Sequence, residues 1–160
     1  MVKRSEKLAF MGVKNGETKV YKRMKNFTDM STSKNAKEYS RQYVDEEFER
    51  SDIIGYATSI SYNFDYDAEN EVHKALVNIS DNEMIGDGAL VEIVVVDLAS
   101  EGQDAGSFKA IKRQFTVVPD SEGNSMDAYT YGGTFKSNGD KIFGEATTLD
   151  EWQIASFTQA

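Results

Sequence analysis

Two short runs, LAFMGV at 8–13 and TKVYKRM at 18–24, flank KNGE. The pattern predicts strand, turn and strand, with Asn15-Gly16 supplying the positive φ angles of a tight hairpin. Farther along, YATSISYNFD alternates strictly. Tyr56, Thr58, Ile60, Tyr62 and Phe64 fall on one face, and Ala57, Ser59, Ser61, Asn63 and Asp65 on the other. Because successive side chains of a strand point to opposite sides, one face is expected to be buried and the other wet. From Asp67 the period changes. Val72, Ala75, Leu76 and Ile79 fall at i, i+3, i+4 and i+7, which predicts an amphipathic helix over 67–82 packed on a sheet. Asp67 is its expected N-cap, with Glu69 and Glu71 near the positive end of the dipole.

ALVEIVVVDL at 89–98 shows no polar alternation and predicts a central strand covered on both faces. SEGQDAGS at 100–107 reads as a flexible connection. In FKAIKRQFTVVP, Ile111, Phe115 and Val117 point one way and Pro119, lacking an N–H, ends the strand. DSEGNS makes a turn, and DAYTYGGTFKSNGDKIFGEATT makes two strands around Asn138-Gly139, with Tyr129, Tyr131 and Phe135 directed inward. The closing EWQIASFT adds one strand more. Six to eight strands, one helix, no internal repeat and no dividing linker predict a single domain over 1–160. It is mainly β, an antiparallel sheet pair or partly closed barrel with one flanking α-helix.

One segment fits none of these elements. KEYSRQYVDEEFERSDIIGY, residues 37–56, puts nine charged and four aromatic side chains into twenty positions. It is too charged to be core, since burying unpaired carboxylates costs several kcal/mol, and too aromatic to be a tether.

Composition narrows the chemistry. The chain of 160 residues has 39% hydrophobic residues and one Pro, the make-up of a folded domain. It contains no Cys, which removes disulfides and thiolate metal sites, and its one His removes most His-based constellations. The first residues lack the apolar stretch of a secretory signal, and no run approaches the ~20 apolar residues that span a bilayer, so a cytoplasmic product without a membrane partner is expected. Net charge is −9, unevenly spread: residues 1–37 hold ten Lys/Arg against three Asp/Glu, and residues 38–160 hold eight against twenty-four. Such a dipole suits docking on an acidic neighbour or gripping nucleic acid, although exposed lysines commonly do neither.

Asp45, Glu46, Glu47 and Glu49 offer oxygens to a hard cation, but their spacing is not that of an EF-hand, and neither DYDAENEVH nor DSEGNSMDAY supplies the required Gly and Glu. GDGAL at 86–90 follows the helix and precedes a strand, the reverse of dinucleotide-binding order, and reads as a turn. His73 beside the apolar stripe reads as a hydrogen-bonded residue. No cofactor or metal site is therefore expected. KVYKRMKNF at 19–27 interleaves Lys19, Lys22, Arg23 and Lys25 with Tyr21 and Phe27, the basis of a nucleic-acid-binding alternative that the acidic remainder of the chain opposes. Abundant carboxylates also leave a two-carboxylate glycosidase open.

Taken in order, KEYSRQYVDEEFERSDIIGYATSISYNFD, ENEVHKAL, VEIVVVDL, FTVVPDSEG, AYTYGGTFK and a late Trp152 resemble the major tail tube proteins of long-tailed phages and prophages of Gram-positive bacteria, over roughly residues 5–155. The resemblance implies a β-sandwich or barrel-like protomer with a flanking helix and a long inter-subunit loop. Six copies would form a ring, and rings would stack head to tail into the hollow tube of the virion tail, assembled in the host cytoplasm. The lumen would hold the tape measure protein and later pass the phage DNA, while tail terminator and distal tail proteins would meet the tube's ends. It implies no active site and no cofactor. The assembly loop would span 34–55, with Tyr39, Tyr43, Phe48, Ile53 and Ile54 as anchors and Arg41 and Arg50 pairing with acids across the interface. Ser59, Ser61, Asn63 and Asp65 are the candidate lumen-facing positions.

Overall fold

The computed structural model describes residues 1–15, 18–149 and 151–160. Among them the chain forms eleven strands and one α-helix. The strands are β1 (Lys7–Asn15), β2 (Thr18–Arg23), β3 (Phe27–Ser33), β4 (Ala36–Arg41), β5 (Arg50–Tyr56), β6 (Ser59–Asp65), β7 (Leu90–Glu101), β8 (Ser107–Glu122), β9 (Thr130–Ser137), β10 (Ile142–Leu149) and β11 (Ile154–Gln159), with α1 (Glu71–Asp81) between β6 and β7.

Six strands close into an antiparallel barrel in the order β10, β11, β2, β1, β7, β8 and back to β10. β8 is shared. Its first part pairs with β10, from Ser107↔Thr147 to Lys112↔Ile142, and its second with β9, from Phe115↔Ser137 to Glu122↔Tyr131. β9 then carries β6 and β3 outward as a wing. β9 and β10 thus lie in succession along one edge of β8. They part at Asn138-Gly139, where Gly139 takes a φ of 149° that few other residues adopt. The Asn138 N–H donates to the Gln114 carbonyl at 2.9 Å and Arg113 Nε to the Gly139 carbonyl at 2.8 Å, pinning the fork. The two strands expected around Asn138-Gly139 are present, but they are not paired with each other.

β7 is the central strand its sequence predicts, and its alternation divides the core in two. Val91 and Ile93 join Met11, Phe64, Leu76, Phe115 and Phe135 between the wing and α1, while Val94 and Val96 fill the barrel with Leu8, Phe10, Ala110, Ala146 and Ala155. Each large apolar side chain fully buried in this way contributes about 1.5–3 kcal/mol. β1 and β2 form the expected hairpin, in register from Phe10↔Arg23 to Asn15↔Thr18; the turn expected at Asn15-Gly16 lies outside the described residues.

Several expectations need correction. The helix begins at Glu71, not 67, because Asn70 is the N-cap: its Oδ1 accepts from the N–H groups of Val72 at 3.0 Å and His73 at 3.3 Å. Asp67 instead accepts from the Glu69 N–H in the preceding turn. β8 runs through Pro119 to Glu122. Pairing with β7 has ended by Thr116, so the missing N–H faces no neighbour on that side, and the register with β9 shifts between Pro119 and Ser121. Tyr131 and Phe135 are buried, but Tyr129 precedes β9 and is exposed, its OH donating to Glu122 at 2.9 Å. Tyr56 ends β5 and is exposed rather than sharing the buried face of Ile60, Tyr62 and Phe64.

Candidate functional site

β3 and β6 pair from Phe27↔Phe64 to Ser33↔Ser59, and immediately beyond, β4 and β5 pair from Ala36↔Tyr56 to Arg41↔Arg50. One ribbon therefore runs from Phe27 to Asp65, and its outer half leaves the body as a two-stranded arm. Asn35, at φ 48°, makes the kink, and its Nδ2 donates to the Ala57 carbonyl at 3.0 Å and to Ser59 Oγ at 3.1 Å, clamping the root. The loop expected over 34–55 is this arm. It is mostly strand, with its turn at Val44-Asp45 closed by the Glu46 N–H donating to the Tyr43 carbonyl at 3.0 Å.

On one face of the arm, the Arg41 guanidinium lies 5.0 Å from the Tyr39 ring centroid and 5.4 Å from that of Tyr43; its Nε donates to the Tyr43 OH at 2.7 Å and its Nη2 meets Asp52 at 2.6 Å. Arg50 lies over Tyr43 at 5.8 Å and pairs with Glu46 at 2.6 Å. Both arginines are thus matched to acids within the arm. Across the ribbon Arg41 and Arg50 are direct partners, a repulsive placement that Asp52 and Glu46 neutralise. An isolated hairpin is marginal in water, and this stack of cations on rings is what stiffens it.

The apolar side chains of the arm have no such partners. Phe48 is 78% exposed, Ile54 67% and Ile53 57%, and Ile54 occupies a bulge opposite Lys37 and Glu38 that turns it out of the regular alternation. Val44, wholly exposed at the turn, and Tyr56 at the root extend this surface beyond the expected anchors. Their signal was membership of the same run. A concentration of exposed aliphatic and aromatic groups on a monomer marks a surface that meets a partner.

Behind the arm, the two faces of the wing differ. Ile60, Tyr62 and Phe64 face the helix, and burial pushes the Tyr62 hydroxyl up to about 12. Ser59, Ser61 and Asn63 are half-buried on the opposite face and Asp65 is exposed. Ser61 Oγ donates to Asp29 Oδ2 at 3.1 Å, Ser31 Oγ to Asp29 Oδ1 at 2.6 Å, and Gly132, Thr134 and Lys136 of β9 continue the same surface. The four residues share a smooth polar face of small side chains.

The basic N-terminal segment does not form a stripe. Lys22 pairs with Glu71 at 2.5 Å. Lys19 enters one mouth of the barrel, where Glu92 Oε1 meets its Nζ at 2.6 Å, Glu92 Oε2 accepts from Tyr21 OH at 2.8 Å, and Lys112 Nζ stands 3.8 Å away. Burial pushes the Glu92 carboxyl up, but the hydrogen bonds from Lys19 and Tyr21 and the charges of Lys19 and Lys112 outweigh it and hold it below its ordinary 4.5. Phe27 packs on Phe64 with centroids 5.0 Å apart. Lys19, Lys22, Tyr21 and Phe27 are therefore engaged within the chain, while Arg23 and Lys25 make no ion pair among the described residues. Gly86–Ala89 forms a 3₁₀ turn, and His73 is a buried core residue hydrogen-bonded at both ring nitrogens. Asp45, Glu47 and Glu49 project from the arm without an ion pair among the described residues, and no group of three or more His, Asp or Glu among those residues is placed to hold a metal.

No protein-family model matches the chain, and no curated protein matches it. Its fold is nevertheless shared with a solved structure, a chain from the tail of an empty GTA particle obtained by helical refinement with C6 symmetry. The two superpose with a TM-score of 0.61 at 13% sequence identity, over 89% of this chain and 98% of that one.

Proposed function

We propose that this chain is the protomer of a phage tail tube. The observation that carries the reading is the arm: a stiffened ribbon exposing Val44, Phe48, Ile53, Ile54 and Tyr56, on a fold shared with a chain from a C6-symmetric tail. A protein that spends so much apolar surface outside its core is completed by other copies. The symmetry of the similar tail supports six protomers per ring. Rings with an arm on one face and a receiving surface on the other stack head to tail, a heterologous contact that propagates as an open filament.

On this reading Tyr39, Tyr43, Phe48, Ile53 and Ile54 contact neighbours, and Arg41 and Arg50 hold the arm in shape for that contact. The polar face bearing Ser59, Ser61, Asn63 and Asp65 lines the lumen. Small polar groups, the carboxylates of Asp29 and Asp65 and few cations leave DNA nothing to bind, since phosphate contacts depend on Lys and Arg. The tube belongs to a long, non-contractile virion tail assembled in the host cytoplasm, holds the tape measure protein before DNA passes, and is closed by terminator and distal tail proteins. The protomer catalyses nothing and carries no cofactor.

Negative-stain microscopy of the purified protein tests the reading. Six-fold rings or stacked tubes, growing with concentration or on addition of tail initiator, are expected; a strictly monomeric protein under both conditions overturns it.

A further inference from the structure

Beside the root of the arm lies an open groove of about 400 Å³ between the wing and the barrel. Its floor is apolar: Val95 and Ile111 are partly exposed there, over the buried side chains of Ile60 and Phe115. Its rim carries Arg4, Lys7, Lys34, Arg113 and Lys141, and no carboxylate lines it among the described residues. None of these five cations makes an ion pair among those residues, although 27 Asp and Glu are present in the chain. The crowding shows at Lys141, which a hydrogen-bond contact with Lys34, burial, and the charges of Lys34 and Arg113 hold below its ordinary 10.5. Five like charges around an apolar floor constitute a site matched to an acidic segment with apolar side chains.

One described segment has that chemistry. The tip of the arm, VDEEFE at 44–49, exposes Val44 and Phe48 and carries four acids, of which Arg50 neutralises Glu46 alone. The tip cannot reach its own groove. The groove meets the arm at Lys34, and the six paired residues of β4 place the tip roughly 20 Å beyond the root at ~3.3 Å per residue.

We infer that the groove rimmed by Arg4, Lys7, Lys34, Arg113 and Lys141 receives the acidic tip of the arm of a second copy, with Val44 and Phe48 on the apolar floor and Asp45, Glu47 and Glu49 among the cations. The inference rests on the reading of the chain as a self-assembling protomer and names both halves of the contact.

The absence of Cys allows a clean test. Val44→Cys and Thr32→Cys variants, one bearing a size tag, are mixed and oxidised; Thr32 is an exposed, uncharged residue lining the groove. A mixed disulfide dimer is expected, well above that of Val44→Cys with Met126→Cys, a fully exposed position outside the groove. Adding Lys34→Glu and Lys141→Glu to the Thr32 variant should lower the yield roughly tenfold, and Asp45→Lys with Glu47→Lys on the tip should restore it. If the reversed pair fails to fold by far-UV circular dichroism, Lys34→Gln with Lys141→Gln takes its place, with a smaller drop and no change in fold. Equal yields at Thr32 and Met126, or indifference to the rim charges, overturn the inference. Six-fold rings without the Thr32 cross-link sink the groove and leave the tube reading standing; the cross-link without rings or tubes does the reverse.

Discussion

The Nε2 of His73, in the first turn of α1, stands 2.7 Å from the backbone carbonyl of Lys25, between β2 and β3, and so ties the helix to the start of the wing. The other ring nitrogen, Nδ1, accepts from the Asp67 N–H at 3.0 Å, which assigns the proton to Nε2 and makes the ring neutral. Phe64 stacks on it at 4.3 Å between centroids.

A neutral, buried His is an acid sensor of stability. Burial holds His73 below its ordinary 6.5, against the hydrogen bond to Lys25 and the charges of Asp67 and Asp65, and a proton on Nδ1 would face the Asp67 N–H. With the folded value depressed, the unfolded chain takes up the proton first, so the stabilisation present above 6.5 is lost as pH falls below it. Thermal unfolding followed from pH 7.5 to 5 should show a falling midpoint, and His73→Gln should flatten that slope while lowering the midpoint at pH 7.5.

A second acid transition belongs to Glu92. Its folded value lies below 4.5, so its contribution is complete above that value and is lost as pH falls beneath it. Glu92→Gln leaves Lys19 and Lys112 without their counter-charge and should cost about 1–3 kcal/mol at neutral pH, read as a lower midpoint in urea.

Phe48 separates folding from assembly. Exposed and outside both core clusters, it should give a Phe48→Ala variant with monomer stability within about 0.5 kcal/mol of the parent and the concentration for tube growth raised roughly tenfold. Tyr43→Ala is a harsher change, because Tyr43 holds both Arg41 and Arg50; it should block growth and also speed amide exchange throughout β4 and β5.

The glycines offer an internal control. A Cβ at Gly133 would meet the Val118 carbonyl, the Tyr62 hydroxyl at 2.9 Å and Pro119 Cα at 3.0 Å, whereas one at Gly55 meets nothing within 4 Å. Gly133→Ala should cost about 1–3 kcal/mol by overpacking where β8 meets β9, and Gly55→Ala should leave chemical denaturation unchanged.

Elements with one dry face were legible in the sequence. The alternation of β6, the apolar run of β7 and the helical stripe of Leu76 and Ile79 each record a burial that the structure contains. β3, β4 and β5 left no such record: apart from Phe27 and Met30 their residues are almost all exposed on both sides, and a strand wet on two faces has no period to read. Helix onset was misplaced because DAEN offers two capping residues, and only the packing of His73 beneath the Asp67 N–H decides between them. Tyr129 failed as an inward residue because alternation says which side chains share a face, not where a strand begins.

By itself the sequence determined the currency of the fold, a β-rich core with one helix, and the presence of an aromatic, acidic segment that no core would accept. That follows from local periodicity and the cost of burying charge, both written in neighbouring residues. Only the tertiary structure decided that β8 is shared between barrel and wing, and that Lys19 and Lys22 are spent on Glu92 and Glu71. It alone gathers Arg4, Lys7, Lys34, Arg113 and Lys141 around one groove. Those relations join residues as much as 137 positions apart, from Arg4 to Lys141, and long-range electrostatics and pairing acquire a sign and a direction only once the strands are in register.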